Sequence, residues 1–153
     1  MEIRRESFDS EAAALLADAL EAELLTTYDG EPGSGGLPPP SIFEPANGGA
    51  FLVGRIDGHA VACGGLARYD DATGEIRRMY VVPQARGRGL SRRVLAALED
   101  EARALGYALV RLETGRLQAA AIALYASAGF GPIPRYGPFA NDPRSVCFEK
   151  RLD

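Results

Sequence analysis

The sequence has few residues of the kinds that bind metals. It contains a single histidine, His59, and two cysteines, Cys63 and Cys147, whose separation fits no metal-ligand pair. His59 follows Gly58 in a predicted hairpin turn, so neither a metal site nor histidine-based catalysis is expected. Both cysteines lie in apolar, strand-like runs, which predicts buried thiols and favours a reducing compartment.

Long apolar runs and a positive net charge are also absent. No apolar run approaches the roughly 20 residues that a membrane helix needs, and the charged segment 1–6 lacks the apolar region of a signal peptide. The net charge of −4 argues against nucleic-acid binding by the protein as a whole. The sequence therefore predicts a cytoplasmic protein whose partners include neither a membrane nor a nucleic acid.

The composition is that of a soluble globular domain. Of the 153 residues, 46% are hydrophobic and 25% are charged, which is enough apolar material for a core. We expect residues 1–153 to form a single domain. Because the whole chain is acidic, the arginines around residues 86–93 are a local basic cluster, which suits a small polyanionic ligand.

Residues 75–105 carry the strongest pattern, which is a strand, a tight basic turn and a helix. Residues 79–82 favour a strand, and Pro83 should end it because proline cannot donate to the sheet. The turn follows at 86–89, and Gly106 is placed to stop the helix that comes next. Apolar residues of that helix fall on one face: Leu90, Val94, Leu95, Leu98, Ala102 and Leu105.

This arrangement predicts an anion site at the start of the helix. Free N–H groups at a helix N-terminus favour a phosphate, and four arginines add positive charge: Arg86, Arg88, Arg92 and Arg93. A Walker loop is excluded, because no Gly-Lys-Ser/Thr follows. A dinucleotide fingerprint stays open, since Gly87-x-Gly89-x-x-Arg92 has two of its three glycines and Glu113 ends the next predicted strand. Arg92, however, stands where close helix–strand packing favours glycine or alanine.

The turn resembles the acyl-CoA-binding motif of the GNAT superfamily of N-acyltransferases. That motif is Arg/Gln-x-x-Gly-x-Gly/Ala, and it follows a proline that closes a strand. Here it is Arg86-Gly87-Arg88-Gly89-Leu90-Ser91, in which Ser91 replaces the last small residue. A second segment, residues 118–130, resembles the family's Asn-x-x-Ala-x-x-Leu-Tyr-x-x-x-Gly-Phe motif, with Gln118 in the asparagine position.

The order of the predicted elements, β-α-β-β-β-α-β-α-β-β, is that of the GNAT fold. The resemblance implies an α/β (α+β) protein with a central mixed, mostly antiparallel, six- to seven-stranded sheet flanked by helices. Two roles are open for the Gly/Pro-rich segment 26–49, a substrate lid or a plain connection. The predicted strands are 3–6, 50–56, 60–68, 75–82, 107–113, 130–133 and 145–152, and the predicted helices are 11–25, 90–105 and 118–128.

The resemblance implies acetyl-CoA as the acyl donor and no metal. The glycine turn would hold the pyrophosphate, and the pantetheine arm would lie along the strand edge at 79–81. A backbone N–H there, that of Val81 above all, would polarise the thioester carbonyl as an oxyanion hole does. The residues implied in donor binding are Met79, Tyr80, Val81, Arg86, Gly87, Arg88, Gly89, Leu90, Ser91, Arg92 and Gln118.

The second motif indicates Tyr125 as the general acid. A phenol with an ordinary pKa of roughly 10 is protonated at neutral pH and can donate to a departing thiolate. The alternative role is that of a core aromatic, since Tyr125 lies at helical spacing from Ile122. Spacing alone favours the core role, whereas the motif implies the catalytic one.

Glu75 is the predicted general base. It begins the strand, and alternation puts it on the same face as Arg77, Met79 and Val81. GNAT members that use a strand carboxylate have it at this place. The alternative is a structural carboxylate paired with Arg77. Glu113, at the end of the neighbouring strand, is the reserve, and either carboxylate could act through water.

The predicted function is an N-acetyltransferase that moves an acetyl group from acetyl-CoA to the primary amine of a small molecule, by direct attack in a ternary complex. Tyr28, Glu113 and Tyr136 are the predicted acceptor-binding residues. Two alternatives stay open: a non-catalytic acyl-CoA-binding module, and a dinucleotide-binding protein that uses the Gly87/Gly89 turn. A homodimer is a possible assembly, because GNAT proteins are often dimers.

Overall fold

The structure, a computed structural model, describes residues 1–153 as seven strands and three α-helices, joined by turns and four short 3-10 helices. The strands are β1 (Glu2–Arg5), β2 (Ala50–Ile56), β3 (His59–Arg68), β4 (Thr73–Val81), β5 (Leu109–Gly115), β6 (Gly131–Ile133) and β7 (Ser145–Arg151), and the helices are α1 (Glu11–Thr27), α2 (Leu90–Ala104) and α3 (Ala119–Ser127). All the strands join one seven-stranded sheet in the order β1-β2-β3-β4-β5-β7-β6. Only β4 and β5 pair in parallel.

The predicted order of elements is confirmed, while some bounds move by a residue or two. The fifth strand was expected at 107–113, whereas β5 begins at Leu109. The reason is the end of α2, where Gly106 has φ 85° and the Tyr107 N–H donates to the Ala102 carbonyl at 3.0 Å. That bond closes a Schellman motif, so Tyr107 belongs to the helix end and not to the strand.

Similar small corrections apply to the other elements. The first helix begins after Ser10, whose side chain accepts from the Ala13 N–H at 3.2 Å as an N-cap, and it continues to Thr27. β4 begins at Thr73, two residues earlier than expected. Phe130 precedes β6 and packs in the core.

Each face of the sheet carries its own apolar core. On one face, α2 packs its apolar stripe against residues of the central strands, including Leu66, Ile76 and Val110. On the other face, α1 packs Leu16 and Leu20 against a second cluster. The helices therefore cover both sides of the central strands, which is why β2 and β3 are apolar in nearly every position.

The parallel pairing of β4 with β5 stops halfway along β4. Residues Thr73–Ile76 pair with Leu109–Leu112, and no pairing between the two strands follows. β5 instead continues in register with β7 up to Gly115. The sheet therefore divides beyond Ile76, which leaves a gap between the second half of β4 and the end of β5.

A β-bulge at Arg78 lies just past the point where the strands divide. Against β3, Gly65 pairs with Arg77 but Cys63 pairs with Tyr80, so β4 has one extra residue. Arg78 has φ 60°, the left-handed conformation that non-glycine residues rarely adopt. Bulges bend a strand and increase its twist, which fits a strand that turns away from its neighbour.

The bulge changes which residues of β4 share a face with Glu75. Beyond it the alternation is inverted, because Ile76 and Val81 share the core on the α2 side while Tyr80 lies in the core on the α1 side. Met79 also packs on the α2 side. The prediction that Glu75 and Met79 share a face is therefore wrong: Glu75 lies on the α1 face, one residue out of phase with Ile76.

Candidate active site

The glycine turn ends in an open helix N-terminus. Gly87 and Gly89 have φ of 80° and 75°, and a Cβ at either position would point into open space. Gly89 is the N-cap residue of α2, and no side chain caps the helix. The first N–H groups of α2 are therefore free to bind an anion. The left-handed φ values explain why glycine is used here.

The arginines around the turn have different surroundings. Arg86 lies over its own strand, where its Nε donates to the Val81 carbonyl at 2.9 Å and its Nη2 contacts Glu23 at 2.8 Å. Arg92 donates to the Ser127 hydroxyl at 2.7 Å. Arg88 is exposed and makes no hydrogen bond. Arg86 thus holds the turn against β4, while Arg88 presents its charge to solvent beside the helix N-terminus.

The edge of β4 offers a free backbone donor beside the gap. The Val82 N–H donates to the Val61 carbonyl of β3 at 2.9 Å. Because successive residues of a strand point their N–H groups in opposite directions, the Val81 N–H faces away from β3. It therefore points into the gap that opens where β4 leaves β5.

A cavity of about 390 Å³ continues from this gap on the α1 side. Its walls come from segments far apart in the sequence: the end of α1, residues 31–37, β4 at 75–79, the end of β5, the start of α3 and residues 139–145. The Gly/Pro-rich segment is therefore one wall of the cavity. Five carboxylates and three guanidinium groups line it: Glu21, Glu31, Glu75, Glu113, Asp142, Arg77, Arg78 and Arg144.

Tyr125 lies in the core and on the cavity wall at once. It is 7% exposed, and its hydroxyl donates to the Met79 Sδ at 3.6 Å. The ring packs near Phe130 and Phe148, with centroids 5.7 and 6.3 Å away. Burial, with a smaller effect of the nearby Glu113 carboxylate, raises the pKa of Tyr125 to about 12. The phenol therefore keeps its proton throughout the range in which an acid would have to act.

The two candidate bases differ in their environment. Burial raises the pKa of Glu113 above its usual value. The Ser145 hydroxyl, which donates to Glu113 at 2.7 Å, lowers this pKa, whereas the nearby carboxylates of Asp142 and Glu75 raise it. Glu75 accepts a hydrogen bond from the Tyr136 hydroxyl at 2.7 Å. Tyr136 does not line the cavity, so its hydroxyl positions the Glu75 side chain from outside the cavity.

Tyr28 and Gln118 meet at the end of β5. The Tyr28 hydroxyl accepts from the Leu117 N–H at 3.3 Å, and Gln118 Oε1 accepts from the Gly115 N–H at 2.8 Å. A Cβ at Gly115 would collide with both side chains. Glycine is therefore needed for this close approach, and both predicted residues line the cavity.

The match of the sequence to a protein-family model identifies the family of the chain. The model described as the acetyltransferase (GNAT) family matches residues 16–130. The chain belongs to the acetyltransferase (GNAT) family. An IAA acetyltransferase of Azospirillum brasilense is 47% identical over 103 residues, which is 67% of either chain.

Solved structures support the same GNAT assignment. A Klebsiella pneumoniae protein assigned as an acyl-CoA N-acyltransferase is 35% identical, with a TM-score of 0.83 over 99% of this chain and 97% of that one. A Salmonella typhimurium protein, yncA, was solved with its cofactor acetyl-CoA; it has a TM-score of 0.70 at 23% identity over 100% and 94% of the two chains. At 23% identity, the similarity to yncA shows a shared fold only.

Several residues of this GNAT cavity were not found from the sequence. Arg144 donates to Asp142 at 2.8 Å and to the Pro32 carbonyl at 3.2 Å, and the Ser34 hydroxyl donates to Asp142 at 2.5 Å. These bonds fasten residues 31–37 over the cavity. No sequence pattern marks them, because Ser34 and Asp142 are 108 residues apart.

No helix of the protein has the length and apolar character needed to cross a bilayer. No three metal-ligating side chains come together. Cys63 and Cys147 are buried free thiols, as predicted, and burial raises the pKa of the Cys63 thiol to about 12.

Proposed function

We propose that this chain transfers an acetyl group from acetyl-CoA to the primary amine of a small molecule, within a ternary complex. The observation that carries the proposal is continuity along β4. The uncapped N-terminus of α2, the free Val81 N–H and the cavity follow one another from one end of the gap to the other. A diphosphate, a thioester arm and an acceptor need three such sites in that order.

The donor would be held through its diphosphate and its arm. The free N–H groups of α2 and the exposed Arg88 would bind the pyrophosphate. The pantetheine arm would follow residues 79–81, and the Val81 N–H would polarise the thioester carbonyl. The solved Salmonella relative that carries acetyl-CoA, named above, supports this donor.

The acceptor amine would enter from the cavity. Its nitrogen attacks the carbonyl carbon, the C–S bond breaks, and the departing thiolate takes the proton of Tyr125. The amine must lose its own proton to a base. The raised pKa of Glu113 brings that carboxylate closer to neutral pH, where a base is most effective, so we assign this step to Glu113.

The size of the cavity favours a small acceptor. Its volume of about 390 Å³ is at the lower end of the range for ligand pockets, roughly 300–1,000 Å³. Residues 31–37, bonded to Arg144 through the Pro32 carbonyl, form one wall of this cavity. A free amine of modest size fits this enclosure better than a protein N-terminus.

Release of free thiol from acetyl-CoA, measured across a panel of amines, tests the proposal. We expect release that depends on the amine and an equal amount of N-acetylated product. Binding of acetyl-CoA without thiol release from any amine would favour a non-catalytic acyl-CoA-binding module. Tight NAD binding without CoA binding would favour a dinucleotide-binding protein.

A further inference from the structure

Arg77 is the one basic side chain on the cavity wall that makes no hydrogen bond. Its nearest acidic atom is Glu75 Oε1, 3.9 Å from its Nη1, and 23% of its side chain is exposed. Glu75 instead accepts from the Tyr136 hydroxyl at 2.7 Å. A guanidinium group has five N–H donors, and no protein acceptor occupies those of Arg77, so they are available to a ligand in the cavity.

The other basic groups of the cavity are already engaged. Both Nη atoms of Arg78 bond Glu21 at 3.2 Å, and Arg144 bonds Asp142 at 2.8 Å. Arg78 Nε is buried beside Arg77 on the strand and has no partner either. Arg77 and Arg78 thus both have guanidinium N–H groups without protein acceptors at the bulge of β4.

The carboxyl group of Glu113 lies across the gap from Arg77. Ile76 pairs with Leu112, and both are in the core on the α2 side. One residue further along each strand, Arg77 and Glu113 therefore point to the α1 side and border the gap from its two edges. Glu113 has no ion pair and is bonded by the Ser145 hydroxyl at 2.7 Å. The space between them has a cation on one side and a carboxyl group on the other.

We infer that the acceptor is an amino acid, a primary amine that also carries a carboxylate, and that Arg77 binds the carboxylate. This deepens the proposed acetyl transfer and rests on it. Arginine forms paired hydrogen bonds with a carboxylate, and the planar fork suits a ligand of fixed orientation. With its carboxylate on Arg77, the acceptor directs its amine toward Glu113 and the thioester.

The test compares acids with matched amides. Wild-type protein is assayed for thiol release with pooled L-amino acids and with pooled L-amino acid amides, which keep the amine and lose the negative charge. The acid that responds is then compared with its own amide. The variants are Arg77→Gln and Arg77→Lys, and Arg151→Gln is the control because Arg151 is exposed at the end of β7.

We expect kcat/KM to be at least tenfold higher for the acid than for the amide. In Arg77→Gln, kcat/KM for the acid should fall about 10- to 100-fold, mainly through KM, which is the usual effect of losing a hydrogen bond to a charged group. The amide should be unaffected, Arg77→Lys should recover part of the loss, and Arg151→Gln should match the wild type. Affinity for acetyl-CoA should stay the same in all variants.

A binding measurement separates this inference from the proposed activity. Calorimetry measures the binding of the same acids and amides to the protein saturated with free CoA. If no amine is acetylated but acids bind and Arg77→Gln abolishes that binding, the acetyl transfer is wrong and the carboxylate site stands. If amines are acetylated but acids have no advantage over amides, or if Arg77→Gln lowers both equally, the carboxylate site is wrong.

Discussion

The glycine turn at the start of α2 and the cavity beside β4 are built in different ways. The turn is formed within residues 83–92, where two glycines with left-handed φ lead into an uncapped helix. The cavity takes its walls from six segments between α1 and β7. Its shape depends on contacts such as Ser34 to Asp142, which join residues 108 positions apart.

This difference determines what a substitution does in each region. In the turn, a side chain on Gly87 or Gly89 meets no neighbouring atom, so its effect falls on the backbone conformation and on whatever binds there. In the cavity, almost every polar group is bonded to a group from another segment, so a substitution changes chemistry and packing together. The turn should therefore control donor affinity, and the cavity should control turnover and acceptor choice.

Gly89→Val should have the largest effect of the changes considered. Acetyl-CoA at ~100 times its Kd should stabilise the wild type by about 2.7 kcal/mol, and we expect thermal unfolding of the variant to show no such stabilisation. A branched side chain would occupy the space that the pyrophosphate must approach. Gly58→Val is the matched control, since Gly58 also has φ 79° with open space around it but lies in the β2–β3 hairpin. Equal acetyl-CoA affinity in both variants would mean that the phosphates bind elsewhere.

Glu113→Gln should lower turnover by about 10²-fold, which is within the usual range for a general base. It should also stabilise the protein at neutral pH. The folded-state pKa of Glu113 lies above the unfolded value, so stability falls as the pH rises from about 4.3 through the folded pKa. Glutamine at this position carries no charge, so the variant avoids this loss of stability at neutral pH.

Rate profiles and melting curves against pH check both effects of this substitution. The acidic limb of kcat/KM should disappear in Glu113→Gln, and its gain in Tm should shrink toward acidic pH. Glu75→Gln should reduce turnover less. A larger loss in Glu75→Gln, with the acidic limb removed there instead, would assign the base to Glu75.

Tyr125→Phe should lower turnover by roughly 10- to 100-fold while acetyl-CoA binding persists. An ordinary phenol would add a limb near pH 10 to the profile, but the raised pKa of Tyr125 moves that limb out of the accessible range. Tyr107→Phe is the matched control, because Tyr107 is equally buried and its hydroxyl bonds the Gly48 carbonyl away from the cavity. Unchanged turnover in Tyr125→Phe would mean that Tyr125 contributes to core packing and not to the chemical step.

Tyr136→Phe should have the smallest effect, a loss of turnover below about tenfold. The substitution removes the hydrogen bond that fixes Glu75 but keeps the ring between Tyr69 and Phe139. KM for the acceptor should rise more than kcat falls, and acetyl-CoA affinity should not change. A loss as large as that of Glu113→Gln would place Tyr136 in the chemical step itself.

The sequence predicted the turn well because every determinant is local. Pro83, Gly87 and Gly89 act through their own backbone conformations, and the helix that follows has a clear apolar stripe. The order of elements was predicted for the same reason. Gly64 and Gly65 lie at the register shift between β3 and β4, and glycines within a strand often mark such a bulge.

Two features of the cavity could not be predicted from the sequence. The extra residue at Arg78 inverts the strand face, and a bulge of this kind has no pattern of its own on β4. The role of Arg144 depends on a loop that returns to Pro32 from the other end of the chain. Residues that act by meeting distant partners cannot be recognised from their neighbours in sequence.

Single-turnover acetyl transfer tests the division between turn and cavity most directly. Each protein is loaded with acetyl-CoA at a concentration above its measured Kd, and transfer to a responsive amine is followed by product formation. We predict that Gly89→Val loses affinity for acetyl-CoA, while Glu113→Gln and Tyr125→Phe bind it normally and transfer slowly. Normal donor affinity in Gly89→Val, or wild-type transfer rates in both cavity variants, would contradict the account.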